Sequence, residues 1–128
     1  MSVQELETFA QNFCDTFNRM DFQAGLDMLS DDVEIFDSVP CRIDGKAKFS
    51  DFLKALLRPI ESMSFGFHQL SCRMIADNVG VINAHDTFAG VTKDGKDQMA
   101  HGRTTLVCAK HAGQWKIVSA HFSAMPTG

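Results

Sequence analysis

The sequence predicts an α+β fold in a single domain that spans residues 1–128. Apolar residues recur at steps of three and four through the first part of the chain, as they do on amphipathic helices. From Met63 to the end, segments rich in Val, Ile, Phe and Thr alternate with turn sequences. No repeat, linker or low-complexity stretch divides the chain, and its length suits one domain. Helices followed by strands predict helices packed on one face of an antiparallel sheet.

The first predicted helix begins at the N-terminus. Ser2 followed by Glu5 matches a capping box, in which each side chain accepts a hydrogen bond from an unpaired backbone N–H. An apolar stripe at helical spacing follows, formed by Leu6, Phe9, Ala10, Phe13, Cys14, Phe17 and Met20. Asp21 then caps a second, shorter helix, which Gly25 inside it weakens.

A short strand and a third helix come next. Val33, Ile35 and Asp37 occupy alternate positions, so they share one face of a strand. After Asp44 and Gly45 the chain carries an apolar helical face, formed by Phe49, Phe52, Leu53, Leu56 and Leu57. Pro59 forbids continuation of this helix, because proline lacks a backbone N–H and clashes with the preceding turn.

Four long strands fill the rest of the chain. They are separated at residues 76–80, 93–96 and 111–114, and Asp94–Gly95 in the second break is typical of a tight hairpin. We expect a cone-shaped, curved antiparallel sheet wrapped around the three N-terminal helices. The open end of such a cone is a natural site for a small molecule, whereas a fully packed cone would have no site.

Composition narrows the classes of function. The chain has 12 Lys+Arg against 16 Asp+Glu and a net charge of −4, which argues against nucleic acid or an anionic membrane as partner. No apolar run approaches the ~20 residues that span a bilayer, and the N-terminus lacks a signal-peptide pattern. We therefore expect a cytoplasmic protein whose cysteines are small buried hydrophobes. The four cysteines are Cys14, Cys41, Cys72 and Cys108, and no two of them form a C-x-x-C pair.

The C-terminal segment carries the most specific pattern. Residues 113–126 read G-x-W-x-I-V-x-x-H-x-S-x-x-P, with Arg103 on the preceding strand. This pattern resembles the nuclear transport factor 2-like superfamily, and within it the SnoaL-like and ketosteroid isomerase-like branch. It is also similar to the association domain of calcium/calmodulin-dependent protein kinase II. The resemblance implies the cystatin-like, nuclear transport factor 2-like cone and a homodimer built through the exposed sheet face.

The last strand independently favours such a dimer. One face of that strand is predicted to hold Lys116, Val118, Ala120, Phe122 and Ala124. The other face is predicted to hold Trp115, Ile117, Ser119, His121 and Ser123. Apolar residues lie on both faces and the helices cover only one, so a second subunit is the expected cover for the other.

Three residues are the candidates for catalysis: Asp37, Arg103 and His121. If the strand continues to Asp37, alternation points this side chain inward, where burial would raise the pKa of its carboxyl toward that of a general base. If the strand ends earlier, Asp37 is a solvated turn residue. The resemblance adds that ketosteroid isomerases place their base Asp in this region. Arg103 could bind a carboxylate or enolate oxygen, or form an ion pair with Asp37 or Asp86 that only stabilises the fold. His121 could move a proton or merely hydrogen-bond to a neighbouring strand.

The remaining candidates would contact the ligand, and they are Asp86, His101, Trp115, Ser119 and Ser123. Asp86 is expected to face inward, because apolar residues of the same strand share its side. His101 shares a strand face with Arg103, and the two serines share that of Trp115.

Missing motifs limit the mechanism. The chain contains no Tyr, so the phenol donor that the resemblance implies for ketosteroid isomerases is absent, which argues against that activity. The histidine spacing shows no metal signature, and no P-loop or dinucleotide motif appears, so we expect neither metal nor cofactor. The leading hypothesis is a protein that binds a small, largely apolar molecule with a carbonyl or carboxylate. As an enzyme it would abstract a proton next to the carbonyl, in isomerase, cyclase or dehydratase chemistry. The alternative is a non-catalytic binding or oligomerisation module, and the sequence leaves this choice open.

Overall fold

A computed structural model describes residues 2–126. Within this range the helices are α1 (Val3–Asn18), α2 (Phe22–Leu26) and α3 (Lys46–Leu57), and the strands are β1 (Leu29–Phe36), β2 (Ile43–Asp44), β3 (Ile60–Ala76), β4 (Val79–Thr92), β5 (Asp97–His111) and β6 (Gln114–Ala124). The predicted α+β class and the order of the elements are confirmed. The sequence did not predict the two-residue strand β2. None of the helices described here has the length and apolar character needed to cross a membrane.

The strands form one mixed sheet in the order β2-β1-β6-β5-β4-β3. Strands β3 to β6 form the predicted antiparallel meander, and shifts of register bend it. The prediction of a wholly antiparallel sheet is wrong, because β1 runs parallel to β6. The direction of β1 depends on how it pairs with β6, for example Leu29 with Ile117 and Ile35 with Ala120. Local sequence does not encode pairing between segments so far apart in the chain.

The helices cover one face of the sheet, which we call the inner face; the opposite side is the outer face. The largest side chains without solvent exposure lie between the helices and this inner face, and they are Leu6, Val33, Ile35, Ile82, Leu106, Cys108 and Ile117. Asn18 fixes the end of α1 to β3, because its amide donates to the Phe65 carbonyl (3.1 Å) and accepts from the Phe65 N–H (2.7 Å). The apolar stripe predicted for α1 is therefore the surface that packs on the sheet.

The two predicted helix caps have different outcomes. Asp21 caps α2 as expected, since its carboxylate accepts from the Ala24 N–H at 3.2 Å. Ser2 lies at the N-cap of α1 but makes no side-chain capping hydrogen bond, so the predicted capping box is wrong. The Glu5 carboxylate instead accepts hydrogen bonds from Lys110 and Trp115, both at 3.1 Å. The bond from the lysine is charge-assisted and therefore stronger than a bond from a neutral N–H.

A bulge in β6 changes which residues share a face. Val107 pairs with Ser119 and Cys108 pairs with Ile117, so Val118 is an extra residue on β6. Ile117 and Ala120 are consequently both buried on the inner face. The predicted single alternation along this strand is wrong beyond Val118, because one inserted residue reverses the direction of every later side chain.

The cysteines follow the prediction with one exception. Cys14 and Cys108 are buried and Cys72 is partly buried, but Cys41 is exposed in the loop after β1. Expecting Cys41 to be buried was wrong, because its loop lies at the surface and gives it no apolar partner to pack on. All four are free thiols.

Candidate functional site

A cavity of about 350 Å³ lies between α1, α3 and the inner face of the sheet. We call it the cone cavity. Its lining is Phe13, Phe17, Asp37, Ser38, Phe49, Leu53, Leu56, Leu57, Ile60, Met63, Phe65, Asp86, Phe88, Gln98, Ala100 and Phe122. This lining is apolar except for two carboxylates, one hydroxyl and one amide, which is the usual composition of a small-molecule site.

Asp37 lies one residue beyond the end of β1 and still faces the cone cavity. Its Oδ1 accepts a hydrogen bond from the backbone N–H of Ser38, with a nitrogen-to-oxygen distance of 2.6 Å. Burial raises the pKa of the Asp37 carboxyl above its ordinary value, the hydrogen bond from Ser38 opposes this, and the negative charge of Asp86 adds to it. Both sequence interpretations hold in part, because the strand ends before Asp37 but the side chain remains half-buried against the cavity.

Asp86 faces inward from β4, as its apolar strand neighbours predicted. Its Oδ2 accepts a short hydrogen bond of 2.5 Å from the Thr104 hydroxyl on β5. Gly102, the cross-strand partner of Asp86, makes room for this carboxylate. A Cβ at residue 102 would lie 2.8 Å from Asp86 Oδ1 and 2.8 Å from the Ser123 carbonyl oxygen. The absence of a side chain at Gly102 therefore lets the acid lie flat on the sheet.

Three of the predicted site residues lie outside the cone cavity, on the outer face. Arg103 and His101 alternate with the buried Gly102 and Thr104, and both are exposed. His121 follows the β6 bulge and its ring lies 5.8 Å from that of the exposed Phe36. Arg103 and His121, which were predicted as catalytic residues, therefore do not line the cone cavity. The Arg103 side chain points to the opposite face of the sheet from Asp86 and Thr104. The bulge at Val118 turns the His121 side chain to the same outer face as Arg103.

The other predicted ligand contacts are also separate from the cavity. Trp115 packs at the far end of the inner face, where its ring N–H donates to Glu5 and the Lys110 ammonium lies 5.9 Å from the ring centroid. Ser119 and Ser123 point to the outer face, because their cross-strand partners Val107 and Arg103 point there. The structure therefore brings together Asp37 and Asp86 from the predicted set and no other member of it.

Sequence reasoning did not identify Ser38, Gln98 and the aromatic lining as part of the site. Six phenylalanines surround the cavity, and three of them, Phe49, Phe88 and Phe122, are brought together from α3, β4 and β6. The signal available in the sequence was the content of 11 Phe, which exceeds what one amphipathic stripe needs. Residues 2–126 contain no group of three or more His, Cys, Asp and Glu side chains placed to hold a metal ion.

Comparison with solved structures shows that this architecture is a known one. A Xanthomonas campestris protein named as a candidate calcium/calmodulin-dependent protein kinase II association domain is similar over 100% of this chain and 91% of its own, with a TM-score of 0.87 and 19% identity. A candidate scytalone dehydratase from Novosphingobium aromaticivorans aligns over 98% and 89%, with a TM-score of 0.84 and 11% identity. A Salmonella enterica protein of the nuclear transport factor 2-like superfamily aligns over 98% and 94%, with a TM-score of 0.81 and 19% identity. At these identities the likeness establishes the fold alone.

The sequence family is narrower than the fold. The profile of the SnoaL-like domain matches residues 6–128, nearly the whole chain. The chain therefore belongs to the SnoaL-like family, and the suspected superfamily is confirmed. A search of curated proteins found no match.

Proposed function

We propose that this protein is a single SnoaL-like domain that binds a small, largely apolar organic molecule in the cone cavity and abstracts a proton next to a carbonyl group. The observation that carries the proposal is the pair of carboxylates, Asp37 and Asp86, in an otherwise apolar cavity of about 350 Å³. Pockets that hold small molecules begin at about 300 Å³ and combine apolar walls with few polar groups. The shifted pKa of Asp37 supports its role as the base, because a base works best when its pKa approaches the working pH.

The reaction would begin at Asp37. Its carboxylate takes a proton from the carbon next to the carbonyl, and the C–H electron pair becomes the C=C bond of an enolate. The negative charge moves to the enolate oxygen, to which the Gln98 amide N–H can donate a hydrogen bond from the cavity wall. In a substrate with a C=C bond between its β- and γ-carbons, return of the proton to the γ-carbon moves that double bond into conjugation with the carbonyl and isomerises the substrate. Its return to a departing β-hydroxyl group releases water and dehydrates the substrate.

Proton exchange tests this reaction without knowledge of the natural substrate. We would incubate 2-tetralone, a neutral bicyclic ketone, with the protein in D₂O and follow loss of its α-proton signal by NMR. The wild type should exchange the proton faster than buffer, and Asp37→Asn should lower the rate by about 10²–10⁴-fold. The matched control Asp51→Asn makes the same chemical change at an exposed position of α3 and should leave the rate unchanged. Equal rates for wild type and Asp37→Asn would contradict the proposed role of the base.

A second candidate function is assembly, and the outer face favours it. Phe36 is 50% exposed and Met99 70% exposed, and both are on this face. Association domains are among the structural neighbours, including one from C. elegans with 16% identity and a TM-score of 0.74. We therefore propose a homodimer through the outer face, with a non-catalytic oligomerisation module as the alternative function. Exposed apolar patches of this kind commonly mark interfaces between subunits.

Light scattering during gel filtration tests the dimer. The wild type should have the mass of two chains and Phe36→Lys that of one, because a lysine in the buried interface is costly. The control Val3→Lys changes an exposed apolar residue of α1, and this variant should remain dimeric. A monomeric wild type would contradict the dimer, and a mass above two chains would favour the assembly module.

We also propose a cytoplasmic location, which the four free thiols support.

A further inference from the structure

The charge of the cone cavity has one sign. Asp37 and Asp86 are its only charged lining residues within the described chain, and no lysine, arginine or histidine of residues 2–126 lines it. The cationic groups expected from the sequence, Arg103 and the histidines, lie on the outer face. The site described above therefore differs from the predicted one in the charge it presents to a ligand.

Each carboxylate retains capacity to accept hydrogen bonds. Asp37 accepts hydrogen bonds from the backbone N–H and the hydroxyl group of Ser38, and Asp86 Oδ2 accepts one from the Thr104 hydroxyl. Because an ionised carboxylate can accept about four hydrogen bonds, both acids can accept more from a donor in the cavity. Burial contributes most to the raised pKa of Asp37 and repulsion from Asp86 adds to it, and no cationic group of the protein opposes the shift.

The apolar walls favour the same charge of ligand. Phe13, Phe17 and Phe65 belong to one aromatic cluster, with ring centroids 5.0 Å apart for Phe13 and Phe17 and 5.7 Å apart for Phe17 and Phe65. The faces of aromatic rings attract cations and their quadrupoles give no such attraction to anions. An anionic ligand would add a third negative charge to a site of low polarity, where charges interact more strongly than in water.

We propose that the cone cavity takes an organic cation, a carbonyl compound whose ammonium group hydrogen-bonds to Asp86 and is attracted by the charge of Asp37, while its apolar body packs against the phenylalanines and Asp37 stays available as the base. The inference rests on the proposed function, since it names the class of ligand for that same cavity. It rules out the carboxylate among the two groups that the sequence predicted for the ligand, a carbonyl or a carboxylate, because Arg103 does not line the site. The ammonium supplies three N–H donors, and hydrogen bonds between ionised groups are roughly twice as strong as neutral ones.

Three probes of nearly equal shape test the sign of the charge. They are 2-naphthylmethylamine, 2-naphthylmethanol and 2-naphthoate, which are cationic, neutral and anionic at pH 7.5. Isothermal titration should show the amine binding at least about tenfold tighter than the alcohol, and the carboxylate binding weakest. Thermal unfolding should give the same order, since a ligand of the native state raises the melting temperature.

Two variants and a control assign the effect to the acids. Asp37→Asn and Asp86→Asn should each remove most of the preference for the amine while the alcohol still binds, since the amides keep the shape and lose the charge. Asp51→Asn should preserve the preference, because Asp51 is exposed on α3 and outside the cavity lining. Binding of the alcohol also shows that each variant is folded.

The outcomes separate this inference from the proposed function. If the alcohol binds as tightly as the amine, or the carboxylate binds tightest, the ligand class is refuted while the apolar cavity remains a binding site. If the amine preference survives both Asn variants, its source lies elsewhere and the inference fails. If none of the three probes binds, both the inference and the proposed binding function are refuted.

Discussion

Replacing Gly102 with alanine should disrupt the candidate site more than its small size suggests. The added Cβ would lie 2.8 Å from both Asp86 Oδ1 and the Ser123 carbonyl oxygen, closer than ordinary Cβ contacts. One neighbour is a side chain that can rotate away, but the other is backbone of the adjacent strand. We therefore expect Gly102→Ala to displace the Asp86 carboxylate and to strain the pairing of β5 with β6.

The expected loss of stability has two parts. Overpacking a well-packed site costs about 1–3 kcal/mol. Displacement of Asp86 removes its hydrogen bond from Thr104, and a hydrogen bond to a charged group contributes about 1.5–3 kcal/mol. The two effects share one side chain and are not additive, so we expect Gly102→Ala to lower the free energy of unfolding by about 2–4 kcal/mol.

Gly66→Ala is the matched control on β3. Its Cβ would have His68 Nε2 at 3.9 Å and Thr87 Oγ1 at 4.0 Å as nearest atoms, so nothing needs to move. It should leave stability unchanged or raise it by about 0.5–1 kcal/mol, because alanine loses less backbone entropy on folding. Urea unfolding followed by fluorescence of the single tryptophan, Trp115, measures both variants. If Gly102→Ala costs less than about 0.5 kcal/mol, the close approach of Asp86 to the strand is refuted.

Three further variants test the acid, the core and the thiols. Asp37→Asn should raise the free energy of unfolding at pH 7, because the raised pKa of Asp37 means that folding penalises its charged form. The gain should shrink as the pH falls through the raised pKa of the folded state and vanish below about 3.9, the pKa of an unfolded Asp, where both states are protonated. A constant gain in urea titrations across pH would contradict this. Ile117→Ala should cost about 2–5 kcal/mol in the same assay, since Ile117 is fully buried on the inner face, and a cost below 1 kcal/mol would refute that placement. Cys41 should react quickly with a disulfide reagent while Cys14 and Cys108 react slowly, because burial raises the pKa of both thiols to about 12; Cys41→Ser should abolish the fast phase seen by absorbance.

The interior position of Asp86 and the partly buried position of Asp37 followed from strand alternation. Alternation is a property of a few consecutive residues, and it holds wherever the strand is regular. It failed for His121 because a single inserted residue, Val118, reverses the phase of the strand. Nothing in the residues around Val118 marks the bulge, since it arises from the fit of β6 to β5.

Glu5 shows the same limit at a helix end. Its spacing from Ser2 matches a cap, but the carboxylate bonds to Lys110 and Trp115, which are more than 100 residues away. A local rule compares only local partners, so it could not weigh a charge-assisted bond that exists only after β5 and β6 pack beside α1.

Short-range sequence patterns predicted the α+β class, the order of helices and strands, and the inward direction of Asp37 and Asp86. Each of these depends on periods of 3.6 or 2 residues, which short stretches of chain express. Other features became visible only in the folded chain: β1 runs parallel to β6, Gly102 makes room for Asp86, and Arg103 lies away from the cavity. These features depend on how distant strands align, and alignment is set by the packing of the whole core rather than by any one segment.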